Sequence, residues 1–124
     1  PPCYRWLRWV TSGRPVQSQP PSWSNRIHVE DAAGFLAHLV ALALAGQPLR
    51  AAYIGVDDAP TPQHEVLQWL AGQLDCPPPL AETKPDASQG KRLSNSSLRD
   101  SGYVLRYPDF RAGYAQVLAE REAQ

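Results

Sequence analysis

From Glu30 to about Leu44 the chain carries a helical run that is apolar nearly all round, and this constrains the fold more than any other feature. Phe35, Leu36, Leu39, Val40 and Ala43 recur at helical spacing, while Leu42 and Leu44 lie on other faces. Such a helix belongs inside a larger body. Glu30 and Asp31 place negative charge where its first turn exposes unpaired amides. Arg26-Ile27-His28-Val29 before it reads as a short extended run. Ala51 to Val56, bounded by Arg50 and Asp57-Asp58, is the second constraint: a short apolar run expected of a strand buried on both faces in a parallel sheet. Its strand partners are not evident in this chain.

The remaining elements are set by caps and breakers. Cys3 to Ser12 predicts a first helix ending at Gly13, with Pro15 beyond. Gln17 to Ser24, with Pro20-Pro21 and serines, predicts an exposed loop. Thr61 as N-cap and Pro62 at the first helical position predict a helix through Val66, Leu67, Leu70 and Leu74. Residues 76–90, rich in proline and polar side chains, read as a flexible loop. Asn95 predicts a cap for a short helix leaving at Gly102, and Asp109 a cap for a last helix bearing Phe110, Tyr114, Val117 and Leu118.

Composition removes several function classes. Twelve basic side chains balance twelve acidic ones in 124 residues, so no long-range field recruits nucleic acid or an anionic membrane. The longest apolar run falls short of the roughly 20 residues that cross a bilayer. Cys3 and Cys76 stand far apart without a CxxC pair, which argues for reduced thiols and a cytoplasmic setting. His28, His38 and His64 lack metal-site spacing, and no Gly-x-Ser-x-Gly elbow accompanies the serines, so neither a metal centre nor a hydrolase is expected. The chain has no methionine and opens on Pro1-Pro2, as expected of a piece of a longer protein; a form matured by loss of a leader is the alternative.

Three segments then occur in order: Asn25-Arg26-Ile27-His28-Val29-Glu30-Asp31-Ala32-Ala33; Tyr53-Ile54-Gly55-Val56-Asp57-Asp58-Ala59-Pro60-Thr61; and Lys91-Arg92-Leu93-Ser94-Asn95 with Leu98-Arg99 and Gly102-Tyr103. Together they resemble the extended short-chain dehydrogenase/reductase superfamily of NAD-dependent epimerases and dehydratases, and Tyr107-Pro108-Asp109-Phe110-Arg111-Ala112-Gly113 is similar to its shorter, atypical members. The resemblance covers about Asn25 to the end. It implies an α/β fold: a helix-rich, C-terminal, substrate-side portion of a Rossmann-type enzyme, with few short strands. It also implies NAD or NADP as cofactor, held mainly by a portion outside this chain. The Gly-rich turn that would cradle a pyrophosphate is not among the eight glycines. The family's Tyr-x-x-x-Lys pair is matched only by Tyr4-x-x-x-Arg8, and arginine is no equivalent of that lysine, so no catalytic residue is assigned here.

The candidate substrate-binding residues are Arg26, Asn25, Trp23, Arg92 and Asn95. A guanidinium at Arg26 suits a phosphate or carboxylate, although the epimerases resembled carry their arginine two positions earlier, at Ser24 here. Asn25 and Trp23 offer an amide and a flat wall, or a turn asparagine and a packed tryptophan. Arg92 and Asn95 approach from the other side, Asn95 having its alternative as a helix cap. The expected ligand is a sugar nucleotide or similar small polar molecule, and an uncovered strand edge would permit a homodimer or other self-association. The reading from a different class is a stand-alone helical interaction module presenting Tyr4-Arg5-Trp6-Leu7-Arg8-Trp9 to a partner.

Overall fold

A computed structural model describes residues 4–123, so Cys3 lies outside the described residues. The first helix, α1 (Arg5–Ser12), buries Leu7 and Val10 and leaves through Gly13 in the left-handed conformation, as its sequence predicts. Strand β1 (Val16–Gln19) follows, then β2 (Trp23–Ser24), where the sequence predicts only a loop. The reason is non-local pairing. β1 runs parallel to β4 (Ala81–Thr83), which lies within the 76–90 segment, and β2 runs antiparallel to β3 (Thr61–Pro62).

Helix α3 (Gln63–Gln73) inserts Val66, Leu67, Leu70 and Ala71 into the core at 0 to 1% exposure. Each Val or Leu so buried stabilises by about 1.5–3 kcal/mol. They meet Leu7, Val10, Val16 and Phe110 in one cluster, with Trp6 and Trp9 packed on its margin. The predicted N-cap is displaced: Thr61 pairs in β3 and its hydroxyl donates to Ala59 O at 2.8 Å, leaving Pro62 at the cap position without a side-chain bond. Helix α4 (Ser96–Asp100) leads to Gly102 at φ 91°, and α5 (Phe110–Glu122) is capped by Asp109, whose Oδ1 accepts from Ala112 N at 2.9 Å. The fold class read from the sequence is observed: a helix-rich α/β arrangement with few, short strands.

Helix α2 (Val29–Leu44) has the predicted extent but not the predicted burial. Only Asp31 and Phe35 are buried, whereas Val29, Leu36, Val40 and Leu44 are 57 to 85% exposed. No Asp, Glu, Lys or Arg interrupts residues 32–49, so this outer face is continuously uncharged. The extended run before it is not a strand. His28 is instead the helix N-cap at φ −66°, ψ 143°, and its Nδ1 accepts from Glu30 N at 3.0 Å. Ala51 to Val56 likewise forms no strand among the described residues; Ile54 is 44% exposed while Val56 is buried. The ends of the two extended segments are still joined through the backbone, where Asp57 N donates to Arg26 O at 2.7 Å.

A buried carboxylate ties α2 to the last third of the chain. Asp31, fully buried, accepts from Tyr103 Oη at 2.8 Å and Arg106 N at 2.9 Å through Oδ1, and from Tyr107 N at 2.9 Å through Oδ2. Glycine at 34 permits this approach, since a Cβ there would stand 2.5 Å from Tyr103 Oη. Burial, then the bond to Asp31, pushes the Tyr103 phenol up. Residues 103–109 are thereby pinned beside the start of α2.

Candidate functional site

The pinned segment forms one wall of a cleft of about 500 Å³. Its other walls are the entrance to α2 (Arg26 to Val29), Asp57, the α5 face carrying Gly113, Tyr114 and Val117, and Tyr4. Rings and aliphatic groups dominate it, with a few polar groups converging, which is the usual make-up of a small-molecule site.

Arg26 and Asp57 are the charged pair within it. The Arg26 side chain is 17% exposed and that of Asp57 3%. Arg26 Nη2 donates to Ser24 Oγ at 2.6 Å. Its guanidinium lies 5.8 Å from the Trp6 ring centre and 5.6 Å from that of Phe110. Nη1 is buried without a hydrogen-bond partner, and Asp57 Oδ2 at 3.9 Å is close enough for an ion pair but too far for a hydrogen bond. Burial draws the guanidinium pKa down, opposed by Asp57 and Tyr114. Burial pushes the Asp57 carboxyl up to about 6, against the Ala59 amide bond to Oδ1 (3.0 Å) and Arg26, which favour its ionised form. The pair is therefore incompletely compensated: a buried cation and a buried anion in range of one another without a direct hydrogen bond.

A second polar arrangement lines the cleft beside it. His28 stacks on Tyr107 with centroids 4.0 Å apart and an interplanar angle of 27°. Because its Nδ1 accepts from Glu30 N, its proton is assigned to Nε2, which donates to Gln116 Oε1 at 2.7 Å. Tyr107 Oη donates to Glu30 Oε2 at 2.6 Å, and that bond, followed by burial, raises the phenol pKa.

Of the five residues singled out from the sequence, Arg26 lines the cleft; the other four stand apart from it and are engaged with protein. Arg92 lies 4.6 Å from the centre of the Trp23 ring. Asn25 Nδ2 donates to Lys91 O at 2.6 Å, and Asn25 Oδ1 accepts from Leu93 N at 3.0 Å. Asn95 occupies the N-cap position of α4, but its side chain makes no cap bond; Nδ2 donates to Val56 O at 3.1 Å and Asp58 Oδ1 at 2.7 Å. Trp23, Asn25 and Arg92 thus clasp the 88–93 segment, and Asn95 holds the chain around Asp57. The aromatic run at the start is also employed: Trp6 and Trp9 pack on the core, and Trp9 Nε1 donates to Arg14 O at 3.1 Å. His28, Asp31, Asp57 and Tyr107 escaped the sequence reading as members of the site. The one available signal was the acid–histidine content of the first and second ordered segments.

Among the described residues no group of three or more His, Cys, Asp or Glu is placed to hold a metal ion. No helix among them is long and apolar enough to cross a membrane. No family model matches the sequence, and no curated protein matches it. Solved structures do. One is a protein from Methylobacillus flagellatus provisionally described as an NAD-dependent epimerase/dehydratase, 35% identical, covering 96% of this chain and 42% of its own, with a TM-score of 0.78. Another is a conserved protein of unknown function from Silicibacter pomeroyi, 28% identical, covering 87% of this chain and 42% of its own, with a TM-score of 0.70. The chain thus spans less than half the length of either neighbour, and at the level of fold it is similar to part of an NAD-dependent epimerase/dehydratase.

Proposed function

We propose that this chain is the C-terminal, substrate-side portion of an NAD(P)-dependent epimerase/dehydratase-like oxidoreductase, and that its cleft receives an anionic group of a sugar nucleotide or similar small polar substrate. The observation that carries this reading is Arg26: a guanidinium at a cleft wall with one nitrogen lacking any hydrogen-bond partner. A planar fork of donors matches phosphate or carboxylate oxygens. The rings of His28, Tyr107 and Tyr114 supply apolar walls against which the rest of a substrate packs. Likeness to an epimerase/dehydratase supports the reaction class of the parent protein.

The residues present do not fit a dinucleotide. At the cleft itself the two helix starts, those of α2 and α5, where a pyrophosphate would meet free amides, already carry His28 Nδ1 and Asp109 Oδ1 as acceptors. The cofactor is accordingly assigned to the remainder of the parent protein, and no chemical step is assigned to this chain. Its part is binding and orientation, with Asp31 holding the 103–109 wall in place. In the same reading Trp23, Asn25, Arg92 and Asn95 support the segments that carry Arg26 and Asp57 without lining the cleft. The uncovered face of α2 supports a further body packing on this chain.

The test uses the natural full-length protein. NADH and NADPH binding is followed by fluorescence, and sugar nucleotides are screened for conversion. Arg26→Lys, which keeps the charge but loses the fork, is expected to raise KM for an anionic substrate at least tenfold with kcat little changed. Full activity of this variant, or the absence of any nicotinamide binding by the full-length protein, refutes the reading.

A further inference from the structure

We infer that Asp57 is an internal competitor for Arg26: an anionic group bound in the cleft takes its place on the guanidinium, and the displaced carboxylate takes up one proton from solvent. This rests on the reading of Arg26 as the anion-binding residue. The geometry is that of an exchangeable partner. Asp57 Oδ1 is committed to the Ala59 amide, while Oδ2 faces Arg26 Nη1 at 3.9 Å, held by charge and not by a hydrogen bond.

The surroundings decide the charge state of Asp57 once the guanidinium turns to a ligand. The acids acting on Asp57 are Asp58, its neighbour, and Asp109 at the start of α5, and both disfavour a second negative charge. Asp58 is tied to Asn95. On α5, Tyr114 acts on Arg26, and Arg111 is drawn to the Phe110 ring at 4.5 Å. His28 and Glu120 are further titratable groups lining the cleft. A carboxylate with 3% exposure, two acidic neighbours and a ligand anion in place of its counter-ion is more stable neutral than ionised. In charge terms, Arg⁺ facing Asp⁻, plus ligand anion and H⁺, becomes Arg⁺ facing the ligand anion, plus neutral Asp.

The scheme makes affinity depend on pH in a defined way. With the carboxyl titrating at about 6, anion affinity falls roughly tenfold per pH unit above that value, by linkage. Sulfate is the probe, because its charge is constant across the range. It is titrated calorimetrically into the natural full-length protein at pH 7.5, in two buffers of different ionisation heat. The expected result is uptake of close to one proton per sulfate bound. Asp57→Asn is expected to abolish the uptake, flatten the pH dependence and tighten sulfate binding at pH 7.5 by about tenfold or more. No proton uptake, or a pH slope surviving in Asp57→Asn and therefore belonging to another group, overturns the inference while leaving Arg26 as an anion site. Sulfate binding that is absent, or indifferent to Arg26→Gln, overturns both. The wild-type proton count needs no variant, so misfolding of Arg26→Gln does not blunt the test.

Discussion

Replacing Asp31 should unfasten the cleft from the rest of the molecule. Asp31 is fully buried and accepts three hydrogen bonds, two of them from the backbone amides of Arg106 and Tyr107. Bonds to a charged group contribute about 1.5–3 kcal/mol each. They share one carboxylate and do not add fully, so Asp31→Ala is expected to cost about 3–5 kcal/mol, a large part of the 5–15 kcal/mol typical of a whole domain. Asp31→Asn should cost about 2–3 kcal/mol. Its Oδ1 still accepts from Tyr103 and Arg106, but its amide nitrogen then meets the Tyr107 N–H donor to donor. Urea unfolding followed by tryptophan fluorescence measures the loss. Hydrogen exchange should show the Arg106 and Tyr107 amides losing protection ahead of the α3 amides. A loss under 1 kcal/mol for Asp31→Ala, with both amides still protected, refutes the account.

Gly34→Ala should cost about 1–2 kcal/mol, because the new Cβ would stand 2.5 Å from Tyr103 Oη and the Tyr103–Asp31 bond must shift; an unchanged urea midpoint counts against the close approach. Asp57 has a folded pKa of about 6 against an ordinary 3.8, so its contribution to stability is fully present below about pH 4 and is lost as pH rises to about 6. Asp57→Asn should therefore stabilise the protein by about 1–3 kcal/mol at pH 7.5 and give no advantage near pH 4; equal stability of variant and wild type at pH 7.5 refutes the sign. Leu36→Glu together with Val40→Glu, at positions 64% and 57% exposed, should reduce self-association of the isolated chain in sedimentation while leaving its far-ultraviolet spectrum unchanged; a wild-type chain that stays monomeric at high concentration removes the basis for this expectation.

What the sequence made legible was local. Gly13 and Asp109 announce a helix exit and a helix cap from their own chemistry, because the groups they satisfy lie within a few residues. Pairing is not local. Val16 meets Ala81 and Ser24 meets Thr61, so β1 and β2 arise in segments whose serines, glutamines and prolines signal only turns. The site is non-local to a greater degree. An aspartate in the first turn of a helix reads the same whether it rests in water or, like Asp31, receives donors from residues more than 70 positions away. Arg26 was legible as a charge at an element boundary, but Trp6, Asp57 and Phe110, which determine what the charge can do, come from three other parts of the chain.

The α2 ridge joins these two levels. Periodicity shows that the helix is apolar nearly all round, and the three-dimensional arrangement shows that the chain's own core uses one of its larger apolar side chains fully, Phe35. Val29, Leu36, Val40 and Leu44, spaced seven, four and four residues apart, fall on one exposed stripe. Covering each, already partly shielded at 57 to 85% exposure, releases at most about 1.5–3 kcal/mol. Four such side chains represent a gain comparable with the stability of a small domain, left unused by the elements present here. A body that covers the stripe would gain this energy without any charge on the stripe to desolvate, since residues 32–49 carry no Asp, Glu, Lys or Arg.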